Sequence, residues 1–409
     1  MLDEDDGDFG VKIIICLQKS IKLFFNWTSL TIILLGLFLN SPLFSQLPTA
    51  QHIASHMKVG WNMGNTLEAI CGETVWGGAY TTQKLIDSVK AAGFKTIRIP
   101  CAWFCHSDTV TSEINASWIA RVKQVVDYCI KDSIYTILNI HWDNGWLENR
   151  VNKANKDRVN ERQNAYWTQI ANYFKAYDEH LLFASANEPN VEDAAGMSVL
   201  LTYHQTFIDA VRATGGNNSS RTLVIQGPST DIDKTNNLME TMPTDKIEDR
   251  FIVEVHYYTP YQFCGLSQDA SWGKMFYYWG KGYHSITDVT RNATWGEESD
   301  VEKYMDLMKT KFVDKGIPVI IGEVAAFRRE LKSPSDQALH DSSIEYYHKY
   351  VFNSAISRGI IPYHWDVNMG LFDRSKGKIL DQRLINAIME GAGLGNTTDV
   401  QKKKPGHSQ

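Results

Sequence analysis

Leu181-Leu182-Phe183-Ala184-Ser185 is apolar up to its last residue, and Asn187-Glu188-Pro189 follows almost at once. A strand with one face in water alternates apolar and polar side chains. This run does not, so both of its faces are covered, as in a parallel sheet flanked by helices. Seven further strand-like runs surround it: Lys58–Asn62, Thr96–Pro100, Tyr135–Ile140, Thr222–Gln226, Phe251–Val255, Pro318–Gly322 and Ile360–His364. Segments of helical period lie between them, at Thr82–Ala92, Trp118–Lys131, Tyr166–Tyr177, Val199–Ala213, Val301–Lys315 and Gln337–Ser357. Eight strand-then-helix units in roughly 340 residues predict an α/β chain folded as one (β/α)8 TIM barrel with long loops. No Gly-rich phosphate fingerprint follows the first strand, which counts against a dinucleotide fold.

Charge and composition narrow the function. Lys+Arg 41 against Asp+Glu 47 leaves a net charge of -6, so the chain lacks the basic surplus that nucleic acid requires. Its 12 Trp, 18 Tyr and 17 Phe exceed what a packed core needs and suit a sugar-binding cleft.

The first residues read differently from the rest. Lys19 and Lys22 precede the apolar segment Ser29 to Phe44, which ends at Ser45-Gln46. This is the pattern of a secretory signal peptide, cleaved near Gln46. Asn40 and Pro42 interrupt the segment, and it falls short of the roughly 20 apolar residues of a spanning helix; an uncleaved anchor is the alternative. The acidic stretch Asp3 to Asp8 is foreign to a signal peptide and suggests that translation starts further along. The expected organisation is a signal segment 1–45, a catalytic barrel 46–394 and a polar, disordered tail 395–409. The mature protein is expected to be secreted or periplasmic, without stable membrane insertion, and monomeric. Cleavage would remove Cys16 and leave an odd set, Cys71, Cys101, Cys105, Cys129 and Cys264, with no zinc-type spacing. Cys101 and Cys105 flank an aromatic pair, so they form either one bridge or two buried thiols.

Active sites of these barrels form at the C-terminal ends of the strands. The second strand ends with Arg98 and Pro100, the third with His141-Trp142-Asp143, and the fourth with Asn187-Glu188-Pro189. The sixth ends with His256-Tyr257-Tyr258, the seventh with Glu323, and the eighth with His364-Trp365-Asp366. Glu188 and Glu323 are the central pair, after strands four and seven. Glycoside hydrolysis needs two carboxyl groups in different protonation states, hence with different neighbours. Arg98 and Tyr258 suit holding Glu323 ionised as nucleophile. Glu188, in a less charged setting, is expected to stay protonated longer and act as general acid, then base.

These residues carry a resemblance. Gly60-Trp61-Asn62-Met63-Gly64-Asn65-Thr66-Leu67-Glu68 and Glu73-Thr74-Val75-Trp76-Gly77 resemble the first-strand motif of glycoside hydrolase family 5. Ile97-Arg98-Ile99-Pro100, Asn139-Ile140-His141, Asn187-Glu188-Pro189, Val255-His256-Tyr257-Tyr258 and Ile321-Gly322-Glu323 follow in family order, so the likeness spans roughly Ile53 to Gly391. The resemblance implies a retaining double displacement in a (β/α)8 barrel, without metal or organic cofactor. By motif, Glu188 matches the acid/base and Glu323 the nucleophile. Arg98 matches the arginine beside the nucleophile, and Asn187 the asparagine that binds the sugar 2-hydroxyl. His141, His256 and Tyr258 match polar residues of the same subsite, and Trp365 the aromatic platform beneath the sugar. Trp142, expected among the substrate-binding residues, stands where many relatives carry a second histidine, so hydrogen bonding there must differ.

The first-strand wording resembles bacterial endo-β-1,4-glucanases, including xyloglucanases and mixed-linkage glucanases. A β-glucan polysaccharide is therefore the expected partner, with a β-mannanase as the nearest rival enzyme. Flat sugar faces stack on Trp and Tyr, and Trp272–Trp279 is a candidate cleft loop or a loop cluster. A non-catalytic glycan-binding barrel is expected to have lost one of the two glutamates. A metal-dependent hydrolase would have to assemble His141, His256 and Asp366, which follow three different strands without a His-x-His after the first.

Overall fold

The computed structural model describes residues 46–395. The expected signal segment, and the expected tail apart from Gly395, lie outside the described residues. In chain order the elements are α1 (Ala50–Met57), β1 (Gly60–Met63), α2 (Gln83–Ala91), β2 (Thr96–Ile99), α3 (Ala116–Lys131), β3 (Tyr135–Asn139), α4 (Lys156–Phe174) and β4 (Leu181–Ala184). There follow α5 (Ala194–Ala213), β5 (Leu223–Gln226), α6 (Ile232–Leu238), β6 (Phe251–Tyr257), the single turn α7 (Tyr261–Cys264) and α8 (Glu298–Lys311). The chain then runs through β7 (Val319–Val324), α9 (Pro334–Ser357), β8 (Ile360–Asp366), a short hairpin β9 (Phe372–Asp373) and β10 (Lys378–Ile379), and α10 (Gln382–Gly391).

Strands β1 to β8 pair in sequence order and close into a parallel barrel, with Gly60 of β1 opposite Tyr363 of β8. Each begins and ends within two residues of its expected bounds. Two apolar layers hold the barrel. The larger packs strands against the outer helices, through residues such as Ile97, Val122, Phe183, Phe207 and Val351. The smaller fills the interior: Ile137, Leu182, Val224, Ile252, Ile320 and Ile361 point inward and meet Ala50, Ile53 and Met57 of α1. That helix plugs the end of the barrel opposite the strand C-termini. Its apolar residues sit at i, i+3 and i+7, one face of a helix, and Thr49 caps it by accepting the His52 N–H.

Helix α4 starts ten residues before its expected beginning at Tyr166, because Lys156–Ala165 offers only Val159 and Gln163 to the interior and carries almost no apolar period. Short α1 and α6 had no signal long enough to separate them from loop.

The cysteines depart from the expected pairing. Cys71, in the loop after β1, bridges Cys105, in the turn after β2, with Cα atoms 5.2 Å apart. Cys101 continues β2 into the core and is fully buried, so its side chain faces away from that loop. Cys129 and Cys264 are buried free thiols.

Candidate active site

A buried polar cluster fills the C-terminal part of the barrel interior. Arg98 is fully buried there, and its guanidinium is the hub. Nη1 donates to Glu323 Oε1 at 2.9 Å and to Asn62 Oδ1 at 3.1 Å, while Nη2 donates to Asn187 Oδ1 at 2.7 Å. Its Nε lies 2.8 Å from Glu254 Oε1. One planar fork from β2 thus orients groups from β1, β6, β7 and the β4 loop, a task suited to Arg rather than Lys.

Glu323 is aimed by a register shift. Val255 pairs with Ile321 but His256 pairs with Glu323, so β7 carries an irregularity at Gly322. A bulge re-aims the next side chain, here into the mouth. Gly322 is required beside it, since a Cβ there would come 2.0 Å from Glu254 Oε1. Tyr258 OH donates to the second Glu323 oxygen at 3.0 Å. The nucleophile candidate is therefore gripped from both sides and buried.

Glu188 sits differently. Its side chain is 44% exposed, and its Oε1 lies 2.7 Å from His256 Nδ1. Its backbone N–H donates to Glu148 Oε1 at 2.7 Å. His256 Nδ1 also lies 3.8 Å from Glu323 Oε2, and its Nε2 lies 3.2 Å from Glu254 Oε1. Single oxygens of Glu188 and Glu323 approach within 4.8 Å of one another. That closeness fits carboxyls about 5–5.5 Å apart, rather than the roughly 6.5–9.5 Å that admits a water between them.

Three carboxylates, Glu188, Glu254 and Glu323, face two cations, Arg98 and His256, leaving one excess negative charge. Burial opposes charge on His256, yet Glu323, Glu188 and Glu254 together hold its imidazolium up to about 10. Burial also works against an ionised Glu188, but the His256 bond, with Arg98 behind it, keeps that carboxyl below its ordinary value. Glu323 is lifted by burial and by the Glu188 charge, against the pull of His256 and Arg98. This reverses the expectation that Glu188 stays protonated longer. The reason is the His256 contact, which sequence did not place on Glu188 rather than Glu323.

His141 and Trp365 form the opposite wall, their rings nearly parallel with centroids 5.8 Å apart. Burial, then the charges of Arg98 and His256, push the His141 imidazole well below its ordinary value, so it stands neutral. Gly64 lies under Trp365: a Cβ there would sit 2.8 Å from the indole. Trp142 is 41% exposed and stays outside the hydrogen-bonded cluster, although its carbonyl closes a turn with the Gly145 N–H. The Trp272–Trp279 loop divides. Trp272 is exposed with the Tyr261 ring 6.4 Å away, whereas Tyr278 and Trp279 are fully buried core.

Two cavities flank the cluster. One of about 210 Å³ opens beside Glu188 and His256 and is lined by Asp231, Asp233 and Tyr304. The other, about 810 Å³, adjoins Tyr258 and Trp365 and is walled by Tyr261, Phe327, Met369 and Leu380.

The sequence reading missed Glu254, Gln226 and Glu148. A signal existed for Glu254, a lone charge in the middle of a strand apolar on both faces. Glu148 sits in a loop and had none. The donor atoms of Glu188, His256 and Glu323 have a metal-like spacing, but Arg98, Tyr258 and His256 already engage those oxygens. Asp366 does not join His141 and His256, because it accepts from Trp61 Nε1 at 2.9 Å and Leu371 N–H at 2.7 Å.

A closed (β/α)8 barrel holding two carboxyls this close at its mouth is the arrangement of a retaining glycoside hydrolase. This chain's family and relatives make it an endo-acting one. The chain belongs to glycosyl hydrolase family 5, the cellulase family, whose model matches residues 55–369. It is 34% identical over 380 residues to endoglucanase A of Paenibacillus barcinonensis, covering 84% of this chain and 90% of that one. It is 35% identical over 363 residues to a xyloglucan-specific endo-β-1,4-glucanase of Bacteroides ovatus, covering 84% and 70%. Among solved structures, the Bacteroides ovatus family 5 xyloglucanase in complex with a XXXG heptasaccharide has TM-score 0.79 at 33% identity, covering 85% of this chain and 77% of that one. A xyloglucan-specific β-1,4-glucanase from a ruminal metagenomic library, in complex with XXLG, has TM-score 0.77 at 42% identity, covering 88% and 100%.

Proposed function

We propose that this chain hydrolyses internal β-1,4 bonds of glucans, with Glu323 as nucleophile and Glu188 as acid/base. The observation that carries the assignment is the contrast between the two carboxylates. Glu323 is buried and fixed by Arg98 and Tyr258, whereas Glu188 is partly exposed and able to meet a leaving group or a water.

In the first step a Glu323 oxygen bonds to the anomeric carbon as the glycosidic C–O bond breaks, and Glu188 gives its proton to the departing oxygen. In the second, Glu188 takes a proton from water, the water oxygen attacks the anomeric carbon, and Glu323 leaves as carboxylate. The proton must therefore reach Glu188 before the first step. Desolvation raises a carboxyl pKa, and Glu188 is the partly exposed member, so a glucan lying over it raises its pKa most. Glu323 is buried already and gains little. Substrate binding thus moves the shared proton from His256 Nδ1 to Glu188 Oε1, 2.7 Å away. Arg98 keeps Glu323 anionic and aligned, and Trp365 stacks beneath the sugar.

A branched glucan is the second reading. The 810 Å³ space beside Trp365 offers aromatic and aliphatic walls to a side-chain sugar. Similarity to xyloglucan-specific relatives supports it. Parallel reducing-sugar assays on carboxymethyl-cellulose, barley β-glucan, xyloglucan, mannan and xylan test both. The expected result is turnover of the glucans; turnover of mannan or xylan alone would overturn the assignment. The Cys71–Cys105 bridge supports an oxidising, extracytoplasmic location.

A further inference from the structure

We propose that Glu254 is a positioning residue: from beneath the site it holds His256 as the proton store of Glu188. This rests on the reading of Glu188 as acid/base. Glu254 is fully buried in the middle of β6, and the two-step mechanism gives it nothing to do. A buried carboxylate is costly unless paired and hydrogen-bonded, and the fold is arranged around this one. Arg98 Nε lies 2.8 Å from its Oε1, Gln226 Nε2 donates to its Oε2 at 2.5 Å, and Gly322 has no Cβ that would strike it.

The remaining contact is the informative one. Glu254 Oε1 lies 3.2 Å from His256 Nε2, on the far side of the ring from Glu188. An ionised carboxylate only accepts, so Nε2 carries a hydrogen in both charge states of the ring. Nδ1 is then the atom that gains or loses a proton, and it faces Glu188. Imidazolium with Glu188 carboxylate, and neutral imidazole with Glu188 carboxylic acid, differ by one proton moved along that contact. Without Glu254 the neutral ring is free to take the other tautomer, whose Nδ1 hydrogen would block return of the proton.

Other charged or titratable groups face this line from every side. Arg98 comes from β2, His141 from the end of β3, and Glu188, backed by Glu148, from the β4 and β3 loops. Glu323 comes from β7, Tyr258 from the end of β6, and Tyr363 from β8. Glu254 adds negative charge near Glu188, which favours the protonated acid. Its removal therefore lets Glu188 ionise at lower pH.

The test is Glu254→Gln, assayed on barley β-glucan and on 2,4-dinitrophenyl β-cellobioside, whose leaving group needs no proton. The expected result is an alkaline limb of kcat/KM moved down by about one pH unit or more, with at least about tenfold loss on β-glucan at pH 7. On the dinitrophenyl substrate the loss stays within about threefold. Equal losses on both substrates, or an unmoved limb, would overturn the proposal. Glu188→Ala with azide separates the underlying assignment: an acid/base variant spares the activated substrate and yields β-cellobiosyl azide. If Glu188→Ala behaves so while Glu254→Gln loses both activities, only the role of Glu254 fails. Should Glu254→Gln not fold, ¹⁵N NMR of the wild-type ring decides. His256 Nε2 protonated across the active pH range supports the proposal, and a bare Nε2 overturns it.

Discussion

Arg98 and Glu323 stand 225 residues apart in sequence and meet Nη1 to Oε1 at 2.9 Å, both buried at the barrel mouth. The same guanidinium reaches Asn62, Asn187 and Glu254, so a side chain from β2, which does not pair with β7, ties the nucleophile's aim to three other groups. An ammonium is a point donor and cannot serve four partners in one plane. Arg98→Lys is expected to lower kcat/KM by about 10²-fold or more. Stability should also fall by about 2 kcal/mol or more, since buried acceptors lose their donor. Kinetics with a thermal melt check both.

Glu323→Gln and Glu188→Gln separate chemistry from stability. Each removes one negative charge from a cluster with one to spare, so neither should lower the melting temperature by more than about 2 °C. Turnover of polysaccharide should fall by about 10³-fold or more in each, as removal of about 4 kcal/mol of transition-state stabilisation implies. A variant with more than about half the wild-type activity takes its residue out of the mechanism.

Much of this arrangement was legible before the fold was known. Unbroken apolar runs such as Leu181–Ser185 marked strands covered on both faces, and their C-terminal ends carried Arg98, Asn187, Glu188, His256, Tyr258 and Glu323. What stayed hidden depends on distances that sequence does not encode. Nothing local told whether His256 would reach Glu188 or Glu323, and that choice inverted the expected protonation of the pair. Cys105 lay four residues from Cys101 in sequence, yet pairs with Cys71 because one turn faces the β1 loop and the other cysteine faces the core.

Stability should decline in alkali. His256 is held up to about 10 in the fold against about 6.5 when unfolded, so its contribution is complete below the unfolded value and is lost as pH rises through about 10. Buried Cys129 and Cys264, pushed up to about 12 by burial, lose stability in the same direction once the unfolded thiols ionise. Below neutrality two sets oppose each other. Glu68 and Glu148, raised by burial to about 7, favour the fold at lower pH, whereas His204 and His348, lowered by burial to about 4, favour it at higher pH. Melting temperatures should be nearly level from about pH 5 to 7 and fall steadily toward about pH 10. A rise above pH 8 would contradict the charge assignment of His256.

Reduction should loosen the loops after β1 and β2. The Cys71–Cys105 bridge spans 34 residues, a closure worth about 3–4 kcal/mol in the chain-entropy account. Dithiothreitol or Cys71→Ser should lower the melting temperature. Among the described residues, the free thiols Cys101, Cys129 and Cys264 are buried and should react with a thiol reagent only on unfolding.

The central claim is that Glu323, and not Glu188, bonds to the sugar. A 2-deoxy-2-fluoro-β-cellobioside with a dinitrophenolate leaving group forms the glycosyl-enzyme faster than water releases it, so the adduct accumulates. Peptide mapping by mass spectrometry should place one fluorocellobiosyl group on the peptide containing Glu323. A label on the Glu188 peptide, or inactivation without any covalent adduct, would contradict the account.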